Sequence, residues 1–179
     1  DLRGGLEHRN SSSLQYPSFR FRKKQEYESF LNLVTHEYFH TWNGKRIHPE
    51  SLGPFDYEKE VYTSLLWVME GVTCHYESLI PTRAKLFAPE DYLRILNGRI
   101  VRFLSKPGRH YQSLEESSFD TWIKLYQPSD NSVNSQISYY EKGALVSLML
   151  DLEIRQRSKN RKSLDDVMRE LYREYGSRG

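Results

Sequence analysis

The densest chemistry in the chain lies in residues 31–43, LNLVTHEYFHTWN, which contain His36-Glu37-x-x-His40. On a helix, side chains four residues apart share a face one turn apart, so both imidazoles project the same way. A pair at that spacing can close on one metal ion, zinc above all. Glu37 adjoins the first imidazole. It is poorly placed as a ligand but well placed as general base for a water at the metal. A catalytic zinc needs a third protein ligand and an open position. By residue type the candidates are Glu70, His48, Glu60 and Glu77. Glu70 is the best of them. It interrupts the apolar run Leu65-Leu66-Trp67-Val68-Met69, where an unpaired carboxylate is costly, and Gly71 follows it. A ligand set of the H-E-x-x-H-x-x-G-x-x-H kind would need glycine at 43 and histidine at 46, where Asn43 and Arg46 stand.

The elements that must position these groups are nearly all helical. Apolar Phe30, Leu33, Val34 and Phe39 predict a first helix over residues 26–42, stopped by Asn43-Gly44. Residues 44–57 carry Pro49, Gly53 and Pro54 and read as a loop. A second helix is expected over 57–79, ending before Pro81. Ala88-Pro89-Glu90-Asp91 opens a third, reaching Ser105. Residues 109–137 are polar and irregular, with one helical turn expected over 119–125. A fourth helix over 138–156 has the apolar content of a core helix, and Ser163-Leu164-Asp165-Asp166 opens a fifth, to Tyr175. The Gly-then-Ser-rich start, residues 1–13, reads by itself as a surface turn. Gly4-Gly5 would still let backbone approach a ligand, with Leu6-Glu7-His8 extended. Residues 20–25, RFRKKQ, read as a solvated lead-in.

Composition bounds the rest. A chain of 179 residues with 37% hydrophobic and 28% charged residues is polar, but 13% aromatics supply core volume. A formal charge of +2 argues for neither a nucleic-acid nor a membrane partner. The single cysteine, Cys74, excludes an internal disulfide. No apolar run approaches the ~20 residues that span a bilayer. The chain opens at Asp1 straight into a motif, so residues 1–179 are expected to be one catalytic domain cut from a longer protein.

Four motifs together resemble the gluzincin peptidases, and within them the glycyl aminopeptidase family. They are Gly4-Gly5-Leu6-Glu7-His8, His36-Glu37-Tyr38-Phe39-His40, Trp67-Val68-Met69-Glu70-Gly71 and Tyr140-Glu141-Lys142-Gly143. They occur in the group's order and span most of the chain. Against aminopeptidase N, His8 replaces the usual asparagine and the interval from His40 to Glu70 is longer. Both departures, with the wording His-Glu-Tyr-Phe-His-Thr-Trp-Asn, are similar to the glycyl aminopeptidases instead.

The resemblance implies a mainly α fold, a helical catalytic domain of thermolysin/gluzincin type with a short N-terminal edge strand. It implies Zn²⁺ held by His36, His40 and Glu70, with Glu37 as general base and Tyr140 facing the scissile carbonyl. Glu7 would hold the α-amine of a peptide substrate with a free N-terminus, and Gly4 and Gly5 would bind its backbone. N-terminal glycine, then alanine, would be preferred. The parent protein would add β-rich segments before this piece and often a PDZ domain after it. Cys74, one turn past Glu70, is expected to pack rather than react. A thermolysin-like endopeptidase and a non-catalytic peptide-binding scaffold are the alternatives. The first would leave Glu7 facing away from the metal; the second would not need Glu37 or Tyr140.

Overall fold

The computed structural model of the chain describes residues 3–54, 56 and 58–176. The architecture is mainly α, with a two-stranded hairpin at its start. Strands β1 (Gly4–Glu7) and β2 (Ser12–Gln15) pair antiparallel, with Gly5 opposite Leu14 and Glu7 opposite Ser12. The second strand escapes a sequence reading because Ser11-Ser12-Ser13 has linker composition. It is held in place by Tyr16, whose hydroxyl donates to Glu26 Oε2 at 2.9 Å. The basic lead-in is also more than solvated. Residues Ser18–Arg22 form a 3₁₀ turn, and the Phe21 ring packs 4.9 Å from that of Phe30 and 5.5 Å from that of Tyr16.

Helix α1 (Lys24–Phe39) carries the H-E-x-x-H pattern on its last turn. The chain then turns at Gly44, whose φ of +120° suits glycine and little else. The second helix departs from expectation at both ends. Tyr57 lies outside the described residues, and Glu58 to Leu65 is not helical. Helical structure begins with a π-helical turn, Trp67–Gly71, and continues as α2 (Val72–Arg83) straight through Pro81. Pro81 is fully buried, and its carbonyl accepts from the Leu86 N–H at 2.9 Å. Packing here outweighs the helix-breaking tendency of the ring.

Helix α3 (Pro89–Ser105) starts where its proline and acids predict, the Asp91 carboxylate accepting from the Ala88 N–H. In the stretch expected to be irregular, α4 (Leu114–Phe119) sits earlier than predicted. A Ser113–Glu116 capping box starts it, and a short α5 (Ser132–Ser135) follows. Helix α6 (Tyr139–Ser158) crosses the middle of the domain, and α7 (Leu164–Glu174) closes it behind a Ser163 cap. The core joins Phe39, Val72, Tyr76 and Leu164, with Val68, Leu79, Ile80, Ile154 and Met168 against it.

Helix α6 packs Ile154 against that core, while others of its large aliphatic residues face outward. Its buried stripe is Tyr139, Gly143, Ser147 and Asp151, while Met149 and Leu152 face outward. Small residues on the stripe let α6 approach the π-turn closely. Among the described residues no helix is long and apolar enough to cross a membrane.

Candidate metal centre

The last turn of α1 faces the π-turn across a short gap. Glu70 Oε2 lies 3.1 Å from His36 Nε2 and 3.3 Å from His40 Nε2. One donor atom from each of the three residues falls within 4.8 Å of the others. Both imidazoles are turned to present Nε2, because Nδ1 is engaged on the far side. His36 Nδ1–H donates to Glu77 Oε2 at 2.9 Å, and His40 Nδ1–H donates to the Asn43 carbonyl at 2.8 Å. Two nitrogens and one carboxylate oxygen, with the outer ring nitrogens anchored, form a donor set that suits zinc. The residues therefore fit the metal that the pattern implies.

Electrostatics agree with that geometry. Burial alone would push the Glu70 carboxyl up. The adjacent His36 and His40 rings override it and hold the pKa down to about 2. Glu77 is likewise opposed by burial, yet held below the carboxylate range by His36 and by Arg99, whose guanidinium lies 2.7 Å away. Arg99 also donates to the Cys74 carbonyl at 2.9 Å. Cys74 is buried, its thiol pushed up to about 12 by that burial and by Glu77. Its Sγ lies 3.7 Å from His36 Nδ1, packed with Glu77 on the side of that ring away from Glu70.

Glu70 is thus the member of the four candidates that meets both imidazoles. Glu77 reaches His36 from behind. His48 bonds the Pro49 carbonyl and Glu60 is exposed. The supporting role of Glu77 was readable in principle: 70, 74 and 77 recur on one helix face, which places Cys74 and Glu77 beside the first imidazole.

The segment that carries Glu70 is tied to the first motif by Asn43, which is fully buried. Its amide donates to the carbonyls of Val68 (2.9 Å) and Met69 (2.8 Å). A π-turn breaks the regular backbone ladder, and these are carbonyls the asparagine satisfies. The Thr73 hydroxyl adds a second bond to Met69 O at 2.6 Å. Asparagine at this position was expected only as a helix stop.

Glu37 is buried, and burial raises its pKa while His36 and His40 pull the other way. The hairpin lies directly over it. A Cβ added at Gly5 would stand 2.1 Å from Glu37 Oε1, so any other residue here must displace the Glu37 side chain. Nothing lies within 4 Å of the same position on Gly4. Glu7 comes round to the same side, with donor atoms of Glu7, Glu37 and His40 within 4.8 Å of one another. Its carboxylate pairs with Lys45, a partner that sequence reasoning missed.

Tyr140 closes the other side, its ring centroid 6.3 Å from that of His36. Burial, reinforced by Glu70, pushes its phenol far above the ordinary range, so it stays protonated. Every residue of its motif has work in the fold. Glu141 pairs with Arg102 (2.7 Å) and Lys106 (3.3 Å), and Lys142 donates to the Gln112 carbonyl at 2.8 Å. Gly143 packs on Gly71. A cavity of about 470 Å³ opens between Leu6, Glu70, Trp122, Tyr126, Tyr139 and Tyr140.

Residues 29–146 match the M61 glycyl aminopeptidase family. No curated protein matches the chain. Among solved structures, an aminopeptidase N family protein from Idiomarina loihiensis is 39% identical, with a TM-score of 0.91. The match covers 98% of this chain and 31% of that one, so the present chain spans about a third of the relative's length. With both the motif-bearing region and the fold accounted for in this way, the chain belongs to the M61 glycyl aminopeptidase family.

Proposed function

We propose that the protein is a zinc-dependent aminopeptidase that hydrolyses the first peptide bond of a substrate with a free N-terminus. His36, His40 and Glu70 hold the zinc. When bound, the metal supplies Lewis-acid polarisation and acidifies a water towards neutral pH. The observation that carries the reading is the meeting of Glu7, Glu37 and His40 within 4.8 Å. It supports an acid for the substrate's α-ammonium beside an acid for proton transfer, at the edge of the ligand set.

In this reading Glu37 takes the proton of the attacking water and returns it to the leaving nitrogen. A buried carboxyl with a raised pKa suits that exchange. Tyr140, held protonated, donates to the developing oxyanion, a contact worth roughly 3 kcal/mol in comparable sites. Glu7 receives the α-ammonium and sets cleavage one residue from the terminus. Gly5 carries the strand over Glu37, where its backbone can pair with an extended substrate. The preference for N-terminal glycine, then alanine, follows the family.

The test is zinc content together with hydrolysis of glycyl and alanyl amides by the full-length protein, its Glu37→Gln variant and its Glu7→Ala variant. We expect zinc in all three and full activity only in the parent. Normal aminoacyl hydrolysis by Glu7→Ala would turn the assignment to an endopeptidase. Absence of zinc from the parent would overturn the metal reading.

A further inference from the structure

We propose that Lys45 is the positioning residue of the amine-binding carboxylate, fixing Glu7 where a substrate's α-ammonium meets it. The inference rests on the aminopeptidase reading of Glu7. Lys45 Nζ lies 3.0 Å from Glu7 Oε1, and the two side chains are only 17% and 25% exposed. The lysine is itself held from behind. Its backbone N–H donates to the His40 carbonyl at 3.1 Å, in the turn that ends the H-E-x-x-H helix. That turn is closed by Gly44 N–H to Ile47 O and Ile47 N–H to Trp42 O, both 2.8 Å.

The next residue acts on the same hairpin. Arg46 donates to Thr41 O within the turn (2.6 Å), to Arg9 O (3.3 Å) and to Asn10 Oδ1 (3.2 Å). Consecutive cations therefore clamp two points of the hairpin to the end of α1. Arg46 takes the β1–β2 turn, and Lys45 takes the functional carboxylate.

A glutamate has several soft torsions, and one at the rim of an open cleft samples many rotamers unless a partner selects one. Lys45 selects the rotamer that brings Glu7 beside Glu37 and His40. It engages one carboxylate oxygen, and the substrate's ammonium takes the other. The opposite arrangement is a competitor: Lys45 standing in the ammonium's own place and leaving when substrate binds. The two differ in sign. Removing a positioning cation weakens substrate binding; removing a competitor strengthens it.

The experiment uses the full-length zinc enzyme with Lys45→Met, which keeps most of the aliphatic stem, and Lys45→Arg, which keeps the charge. Free-amine glycyl and alanyl amides are compared with their N-formyl analogues, used as substrates or as competitive inhibitors. We expect Lys45→Met to raise KM for free-amine substrates about tenfold with little change in kcat. Binding of the N-formyl analogues should be unmoved, and Lys45→Arg should return towards the parent. A crystal structure of Lys45→Met should show the Glu7 carboxylate displaced from Glu37. A parent-like or lowered KM, an equal loss with N-formyl analogues, or an unmoved Glu7 would each overturn the proposal. Glu7→Gln in the same assays separates the two levels. If it keeps the free-amine preference, the aminopeptidase reading itself fails. If it loses that preference while Lys45→Met behaves as the parent, only the role of Lys45 fails.

Discussion

Gly71 and Gly143 are in contact: a Cβ added to Gly71 would lie 2.6 Å from Gly143 Cα, and one added to Gly143 would lie 2.9 Å from Gly71 Cα. Each glycine ends its own motif, Trp67-Val68-Met69-Glu70-Gly71 in one case and Tyr140-Glu141-Lys142-Gly143 in the other. The crossing point thus fixes Glu70 relative to Tyr140. Gly71→Ala or Gly143→Ala should cost about 1–3 kcal/mol through overpacking. The double variant should cost less than the sum, because one displacement relieves both clashes. Denaturant unfolding measures this, and kcat should fall with each single variant as Tyr140 is pushed off the oxyanion.

Gly5→Ala attacks the same centre from the hairpin side. The added methyl would occupy the place of the Glu37 carboxylate. Because β1 is an outer strand, the fold should survive while kcat/KM drops about 10²-fold. Steady-state kinetics beside a thermal melt of the same preparation would check it. Gly4→Ala, which meets nothing within 4 Å, is the control and should stay near parental activity.

Glu77 and Arg99 hold His36 by its far nitrogen. Glu77→Gln should lower zinc affinity by about 10–100-fold while leaving the three ligands in place. Competition with a chromogenic chelator measures that constant without any turnover. An unchanged affinity would mean that the imidazole is held by packing alone.

Asn43→Ala removes the amide that two carbonyls of the π-turn depend on. Met69 O keeps its bond from the Thr73 hydroxyl, so the loss falls mainly on Val68 O, and about 1–3 kcal/mol is expected. Zinc should bind more weakly as well, since Glu70 lies in the loosened turn. Urea unfolding with and without metal separates the two effects.

His75 predicts a pH dependence away from the ligands. It is buried on α2, and Nε2 has no partner among the described residues. Burial, aided by Arg99 and Arg83 and opposed by Asp151, lowers its pKa from 6.5 to about 4. Unfolded chain therefore binds the proton between those values while folded chain does not, so stability falls as pH falls through that window. The expected loss between about pH 7.5 and pH 5 is roughly 2 kcal/mol. In metal-free protein the raised pKa values of His36 and His40 act in the opposite direction, so the difference between parent and His75→Gln in urea titrations at both values isolates this loss.

The helix starts and the grouping of His36, His40 and Glu70 were legible because their signals are local. An i, i+4 histidine pair, a proline with acids at Ala88–Asp91 and a serine cap at Ser163 each act within a turn of chain. Failures have a common cause: a contact distant in sequence overrules a local preference. Burial keeps Pro81 inside α2, against its propensity. Pairing with β1 makes a strand of Ser12–Gln15, whose composition is that of a linker. Lys45 read as a loop residue and Asn43 as a helix stop, and they are points where the end of the first helix grips the hairpin and the π-turn.

The bonds from Asn43 to Val68 and Met69 have one more consequence. They close residues 44–67 into a loop knotted at its base, with His40 just before the knot and Glu70 just after it. Loop-closure entropy grows only logarithmically, by about 0.6 kcal/mol per doubling of length. Beyond the turn at 44–47, which holds Lys45 and Arg46 against the hairpin, the segment can lengthen, shorten or change its shape while the distance between His40 and Glu70 stays the same.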